Sequence, residues 1–407
     1  MSASANKSSS RRIKDIKLNS LLEITRAINN NFSTSQLLDI FKEVLEEQLK
    51  IGTLALFSNS EGSWKCILKY GMGDDFNAID VERDLLPIKD IGTINFSEKT
   101  LGESFEIVIP VYHKSKPLAY VLIGDLEDKV EVSPAIKHLN FVQILASIIV
   151  VAIENKKLAK ESLQQAAMKK ELELASEMQS MLFPSTLPND EKLDTAAFYL
   201  PHQEVGGDYY DFIWLNENEF AFCVADVSGK GVAAALLMSN FQANLRVLFN
   251  HTTSLTELVH DLNAKVLASA KGEKFITLFI AKYNLVTRTL TYVNAAHNPP
   301  VLATNNAVSA LKIGCTGLGM FDEITKIKEG IINISPGTTI VCYTDGLVEL
   351  ENNKGEDFGI ESLKKIIRNN IDLDMKSLNR VIIDTLISYK QNRPYIDDIA
   401  LFSLKIF

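Results

Sequence analysis

Apolar residues first recur at helical spacing, at Leu18, Leu21, Leu22, Ile24 and Ile28, and again at Leu37, Ile40, Phe41, Val44, Leu45 and Leu49 after a polar break at Asn29 to Ser35. This spacing predicts two amphipathic helices. The period then changes to that of strands over Thr53 to Phe57, Trp64 to Tyr70, Phe105 to Tyr112 and Leu118 to Leu126, the last two joined by the turn chemistry of His113 to Pro117. A long apolar helix from Ser133 onward closes a compact α/β module, and the polar residues 1–15 ahead of it read as a disordered tail. From Lys156 to Leu182 the chain is rich in Lys, Glu, Gln, Ala, Leu and Met, with no Gly or Pro until Pro184. Val151, Leu158, Gln165, Leu172 and Gln179 lie seven apart, so this helix carries a weakly apolar heptad face; Gln at two seam positions makes a poor permanent zipper. Beyond it, strands dominate: Thr195 to Leu200, Phe220 to Asp226, Phe275 to Tyr283, Leu290 to Asn294, Thr338 to Asp345 and Ile399 to Ile406.

Composition narrows the classes of function. The chain has 407 residues, 46% hydrophobic and 23% charged, which suits a globular protein of two to three domains. Lys and Arg number 42 against 51 Asp and Glu, a formal charge of -9 that disfavours nucleic acid and anionic lipid as partners. Cys66, Cys223, Cys315 and Cys342 are scattered and form no C-x-x-C pair, so they read as small buried hydrophobes of a cytoplasmic protein, with neither zinc site nor disulfide framework. The basic N-terminus has no apolar core behind it and is not a secretory signal. The uninterrupted apolar run in LNFVQILASIIVVAIENKK is far shorter than the ~20 residues of a membrane span, which predicts a buried helix and no span.

Chemistry concentrates in the C-terminal half. EFAFCVAD is apolar or small on both faces, as a central buried strand should be, and ends at Asp226 before Val-Ser-Gly-Lys-Gly. TTIVCYTDG runs into Asp345 and Gly346, Asp397 and Asp398 precede IALFSLKI, and Asp208 follows Gly206 and Gly207. One Asp-Gly pair is a turn or a cap; four carboxylates at strand ends beside glycines suit hard divalent cations, because Mg²⁺ and Mn²⁺ prefer oxygen ligands. Two such ions close together would bind a phosphate and lower the pKa of a shared water, which is the arrangement of a phosphoester hydrolase.

At these residues the chain resembles the SpoIIE/RsbU branch of the PP2C-type serine/threonine protein phosphatases. GGDYYDF, ADVSGKGVAAALLMSNFQANLR, NAAHNPPVL, YTDGLVE and DDIAL occur in the family's order, and EMQSMLFPSTLP is similar to its regulatory helix and lead-in. The resemblance implies an αββα sandwich over residues 185–407, two sheets flanked by helices, with Mn²⁺ or Mg²⁺, two ions, at one edge. It implies Asp208, Asp226, Asp345 and Asp397 as catalytic metal ligands, with the Val227 carbonyl as a backbone ligand. Asp211 is as readily a helix or turn residue, and Asp398 orients its neighbour. Gly229 and Gly231 would shape the loop, and the helix Val232 to Arg246, with Ala233 to Leu237 as its apolar face, would pack behind it. The chain departs from the family's pattern at Ala400, where Thr is common, at Ala296, where Gly precedes the His, and in having no arginine near Asp208. Lys230 is the nearest basic residue and reads as solvated, and His297 reads as structural rather than as a general acid.

Residues 16–155 resemble a GAF domain, on LLEITRAINNNFSTSQLLDIFKEVL, IVIPVYHKSKPLAYVLIGDL and FVQILASIIVVAIENKKL. That implies a sensory or dimerising module able to hold an unidentified small ligand; His113 and His138 read as surface residues. The expected protein is thus α+β: a tail (1–15), a GAF-like α/β domain (16–155), a helical linker (156–184) and a PP2C-like phosphatase domain (185–407). It would be a homodimer, with a phosphorylated STAS-type anti-sigma factor antagonist as the substrate the resemblance implies. The alternative is a non-catalytic adaptor that binds a phosphoprotein without turnover.

Overall fold

The protein is described from a computed structural model, which covers residues 2–60, 62–71, 79–93, 105–113, 115–124, 139–249, 254–305 and 307–407. It forms two compact units, Met1–Ala166 and Ala167–Phe407. In the first, helices α1 (Ser2–Asn29) and α2 (Thr34–Glu43) precede a five-stranded antiparallel sheet of β1 (Thr53–Ser60), β2 (Ser63–Tyr70), β3 (Gly92–Thr93), β4 (Ile107–His113) and β5 (Lys116–Gly124), ordered β2-β1-β5-β4-β3. The break between the helices is where expected: Ser33 caps α2 in a capping box with Gln36. Alternation along the strands divides the sheet. Leu54, Leu56, Ile109, Val121 and Ile123 face Ile24, Phe41, Val142, Leu145 and Ile149 of the helices, while Ala55, Phe57, Val108, Tyr120 and Leu122 pack with Val81, Leu85 and Phe105 on the other face.

Three expectations change here. Residues expected as a tail are helical from Ser2, because no Gly or Pro stops a helix propagating back from the packed turns around Ser20, Ile24 and Ala27. The helix α3 (Leu139–Ser180) runs 42 residues without interruption, and the expected start at Ser133, like His138, lies outside the described residues. It is not buried all round: Val142, Leu145, Ala146, Ile149 and Val150 enter the core while Ile144 remains 50% exposed. By length and composition α3 and the helix Val232–Phe249 are long and apolar enough to cross a membrane. An average over a helix tolerates polar residues that an uninterrupted apolar run does not, and both helices bury one face against a sheet.

The second unit has four layers. One sheet is ordered β13-β10-β9-β8-β7, from β7 (Tyr209–Asn216), β8 (Glu219–Val227), β9 (Ile276–Asn284), β10 (Thr289–Ala295) and β13 (Gly314–Cys315), with β14 (Gly330–Asn333) also paired to β10. The other is ordered β12-β11-β15-β16-β6, from β6 (Leu193–Leu200), β11 (Val301–Ala303), β12 (Val308–Ala310), β15 (Thr338–Tyr343) and β16 (Ile399–Ile406). Phe220, Phe222, Phe279, Tyr292, Ile340 and Phe402 fill the space between the sheets. Helices α4 (Val232–Phe249) and α5 (Leu255–Ala270) cover the first sheet, and α7 (Ile360–Asn369) and α8 (Met375–Lys390) the second; α6 (Asp345–Val348) is a single turn. The α+β sandwich with helices outside is as expected. Within α4 the apolar face is narrower, since Ala234, Ala235 and Leu237 are buried while Leu236 is 68% exposed. Cys223 and Cys342 are buried, but Cys66 and Cys315 only partly so, and all four are free thiols.

Candidate active site

The acidic residues come from four strand ends. Asp208 leads into β7, Asp226 is the penultimate residue of β8, Asp345 opens α6 just after β15, and Asp397 and Asp398 lead into β16. Antiparallel pairing of β7 with β8 and of β15 with β16 brings each pair of ends together. Within each pair the approach of backbones is close. At Gly346 an added Cβ would overlap the Asp398 carbonyl and lie 3.2 Å from the Asp397 Cβ; at Gly207 it would lie 3.0 Å from the Val227 carbonyl oxygen. The motifs' glycines therefore let the chain segments that carry carboxylates pack against one another. Gly229 and Gly231 hold φ of +85° and +70°, turning the chain from β8 into α4.

Electrostatics reports the same convergence. Burial, then Asp345, pushes the Asp226 carboxyl up to about 7, with Asp397 and Asp398 adding to the rise. Asp208, 1% exposed, is held far above the usual carboxylate range by burial and then by Asp226, against a hydrogen bond from Thr344. Burial followed by Asp397 raises Asp345, while Lys230 opposes the rise. These carboxylates crowd one another in a partly dry pocket, each disfavouring the charge of the next.

The surrounding groups fix the loop that carries Asp208. Asp398, 5% exposed, accepts hydrogen bonds from the backbone N–H of His202 (2.7 Å) and of Gly207 (2.6 Å). Its own N–H donates to Asp397 Oδ1 at 2.9 Å, so it orients its neighbour through the backbone and the Gly207 loop through its side chain. Gln179, in the last turn of α3, donates from Nε2 to the Gly206 carbonyl (2.7 Å) and accepts from the Gly206 N–H (3.2 Å). Its seam position in the heptad pattern gave no hint of this contact. Lys230 is not merely solvated: its ammonium lies 2.9 Å from Asp397 Oδ2 and also donates to the Ile396 carbonyl.

Two residues stand apart from the cluster. Asp211 is neither in a helix nor in a turn but lies within β7, fully buried, where it accepts from the Tyr209 hydroxyl (2.6 Å) and from Arg246 of α4 (2.9 and 3.0 Å). His297 is 4% exposed, its Nδ1 is 2.8 Å from Thr277 Oγ1, and burial lowers its pKa to about 4, so it is neutral near pH 7. Ala296 before it adopts φ +53°, which explains why a glycine suits that position.

Among the described residues no three His, Cys, Asp or Glu side chains converge as a ready-made coordination sphere. The donor set nonetheless fits hard divalent cations. It is all oxygen, its carboxylates repel one another, and the buried Asp208 Oδ2 has no hydrogen-bond partner. Asp208, Asp226, the Val227 carbonyl, Asp345 and Asp397 are the groups available to hold such ions.

Comparison with known proteins finds similarity concentrated in the C-terminal unit. Residues 216–407 match the family model of stage II sporulation protein E, SpoIIE, a span that includes Asp226, Asp345 and Asp397 and starts beyond Asp208. The chain is 27% identical over 242 residues to the phosphoserine phosphatase RsbU of Bacillus subtilis, covering 59% of this chain and 71% of RsbU. It is 24% identical over 324 residues to Protein IcfG of Synechocystis sp., covering 73% of this chain and 51% of IcfG, so it spans about half the length of that relative. Among solved structures, the SiaA-PP2C domain of Pseudomonas aeruginosa superposes with a TM-score of 0.55 at 19% identity, over 60% of this chain and 99% of that one, a likeness of fold.

Proposed function

We propose that this chain, whose C-terminal unit is homologous to the PP2C-type serine phosphatase domains of the SpoIIE and RsbU kind, is a divalent-metal-dependent phosphatase acting on phosphoserine or phosphothreonine of a signalling protein. The observation that carries the reading is the set of mutually repelling carboxylates, Asp208, Asp226 and Asp345 beside Asp397, with a buried Asp208 oxygen lacking any donor. A cluster of this kind opposes folding unless cations compensate it. Asp208, Asp226 with the Val227 carbonyl, Asp345 and Asp397 would hold two Mn²⁺ or Mg²⁺ ions. When bound, such ions neutralise a phosphate and acidify a water. The chain's own part is positional: Asp398 and Gln179 set the Gly206–Gly207 backbone and hence Asp208, and Thr344 donates to Asp208.

The finer reading extends what the resemblance implies. The substrate is a phosphorylated STAS-type anti-sigma factor antagonist in the cytoplasm, residues 185–407 form the phosphatase domain, and a GAF-like domain over 16–155 regulates it through the helix 156–184 in a homodimer. The name of RsbU as a phosphoserine phosphatase supports phosphoserine as the leaving site. The test is release of phosphate from a phosphoserine peptide by the full chain with Mn²⁺ or Mg²⁺. Activity is expected to vanish with EDTA and in Asp226→Ala. Turnover that survives both overturns the mechanism, and metal binding without turnover on any phosphorylated STAS protein supports the adaptor instead.

A further inference from the structure

Strand alternation places one more oxygen beside the carboxylates. Thr277 of β9 is the direct antiparallel partner of Asp226 of β8. Phe222 and Val224 of β8 and Phe279 and Ala281 of β9 point between the sheets, and alternation puts Asp226 and Thr277 on that same side. Directly opposed residues on one face hold their Cβ atoms about 5 Å apart, so the Thr277 side chain adjoins the Asp226 carboxyl. Both residues are only half-buried, whereas Leu278 to Ala281 further along β9 are closed off from solvent.

The Thr277 hydroxyl has a fixed partner, Nδ1 of His297 at 2.8 Å. The segment that presents the ring is itself tied down. The His297 N–H donates to Asn294 Oδ1 (2.8 Å), the buried Asn294 amide to the Leu311 carbonyl (3.1 Å), the Ala296 N–H to the Cys315 carbonyl (3.0 Å) and the Tyr343 hydroxyl to the Pro299 carbonyl (3.3 Å). Burial keeps the ring neutral, so it has one proton to place. The Tyr343 backbone favours a protonated ring, as an accepting carbonyl does, and Nδ1 is taken by Thr277, which leaves the buried Nε2, with no close hydrogen bond of its own, to face it. A carbonyl only accepts, whereas a threonine hydroxyl rotates to donate or accept; the proton therefore belongs on Nε2, and the Thr277 hydroxyl donates to Nδ1. Thr277 Oγ1 then keeps only lone pairs for the cleft.

We propose that His297 is a positioning residue of the site: by accepting a hydrogen bond from the Thr277 hydroxyl, it turns Thr277 Oγ1 into an acceptor toward a hydrated divalent cation at Asp226. The inference rests on the metal-dependent reading above and adds to it two residues that are not themselves ligands. Hard cations such as Mg²⁺ keep several waters, whose O–H groups need acceptors, and partners outside the ligand set orient what lies within it. A Thr277 hydroxyl free to turn its hydrogen toward the cleft would offer a donor where acceptors are wanted. His297 removes that freedom without adding a charge.

The experiment uses the full chain and two readouts other than turnover. Nitrogen NMR of the metal-free protein with labelled histidine, the His297 signals being those lost in His297→Leu, should show the proton on Nε2 and Nδ1 accepting. A proton on Nδ1 overturns the proposal, and this measurement on the wild type stands whether or not any further variant folds. Calorimetric titration with Mn²⁺ alone is the second readout. Thr277→Val, which removes the hydroxyl at constant shape, should weaken Mn²⁺ binding about tenfold, and Thr277→Ser should restore it to within about twofold of wild type. His297→Leu should also weaken binding in the wild-type background but cause no further loss in Thr277→Val, since it acts through that hydroxyl. Additive losses, or a Thr277→Ser protein as weak as Thr277→Val, would assign His297 a packing role and overturn the proposal. Wild-type protein that binds no Mn²⁺ overturns the metal-dependent reading and this proposal together, whereas wild-type binding that Thr277→Val leaves unchanged overturns this proposal alone.

Discussion

If the carboxylates of the site repel one another, neutralising one of them should stabilise the metal-free protein while destroying its use. Asp226→Asn is the cleanest case, because Asn is nearly isosteric and the Asp226 carboxyl is pushed up to about 7, first by burial and then by Asp345. A carboxyl held at about 7 rather than 3.8 is disfavoured in its charged form by roughly 4 kcal/mol. Relaxation and proton sharing with Asp208 and Asp345 reduce what one substitution recovers to about 2 kcal/mol. For a unit the size of Ala167–Phe407 that corresponds to a rise in Tm of roughly 4–8 °C.

The sign follows from linkage. A group whose pKa is raised by folding contributes stability that is complete below its unfolded pKa and lost as pH rises through its folded one. The advantage of Asp226→Asn should therefore be small at pH 4, grow between 4 and 7, and stay constant above that. Calorimetry in EDTA across this range measures it directly. With Mn²⁺ present the order should reverse, because the wild type gains stability by mass action at a site the variant lacks, and only the wild type should hydrolyse phosphoserine peptide. An Asp226→Asn protein no more stable than wild type at pH 8.5 in EDTA, or one whose advantage is the same at pH 4, would refute the account of mutual repulsion.

Two further substitutions probe the frame. Ala296, exposed at φ +53°, should give way to glycine with a gain of about 0.5–1 kcal/mol in urea denaturation, since the left-handed cost is removed and no buried methyl is lost; an unchanged midpoint would show that no strain resides there. Arg246→Ala should cost about 2–3 kcal/mol by stranding the fully buried Asp211 charge, the partial exposure of Arg246 holding the figure below that of a fully buried pair. Adding Asp211→Asn should recover part of the loss, measured by the same denaturation, and a cost that the second change does not reduce would argue against a charge effect.

How far the sequence anticipates this molecule depends on the range of the interactions. Asp226 and Asp345 were legible because each follows an apolar strand and leads into glycine, and Asp397 because it leads into the apolar strand IALFSLKI. Strand β7 was not, because YYDFIWLN carries a charge in its middle; the reason Asp211 can sit inside a sheet is Arg246, 35 residues away on α4. Asp345 was read as the end of a strand and instead opens a helical turn, since Thr344 bonds across to Ala400 (3.0 Å) and the ladder from β15 ends at Tyr343. Gln179 counted as a flaw in a heptad until folding paired both of its amide atoms with Gly206, 27 residues on. In the first unit the strands followed from period-2 alternation, whereas the two-residue β3 offers too little pattern to detect.

These long-range partners explain how a self-repelling site stays in place. Charge repulsion opposes the approach of Asp208 and Asp226, and the one hydrogen bond between their carboxyls offsets it only in part. The Gly206–Gly207 backbone is gripped from two sides instead, by Gln179 through a neutral pair and by Asp398 through two charge-assisted bonds that also reach His202. A net ~1 kcal/mol for each neutral bond and roughly 1.5–3 for each bond to the Asp398 carboxylate gives a restraint of several kcal/mol, the same order as the repulsion it opposes. Asp398 is thus as necessary to the geometry as the residues that would touch a cation, although both of its oxygens are already committed to backbone N–H groups. Because restraint and repulsion are comparable, loosening either Gln179 or Asp398 should move Asp208 rather than merely soften its surroundings.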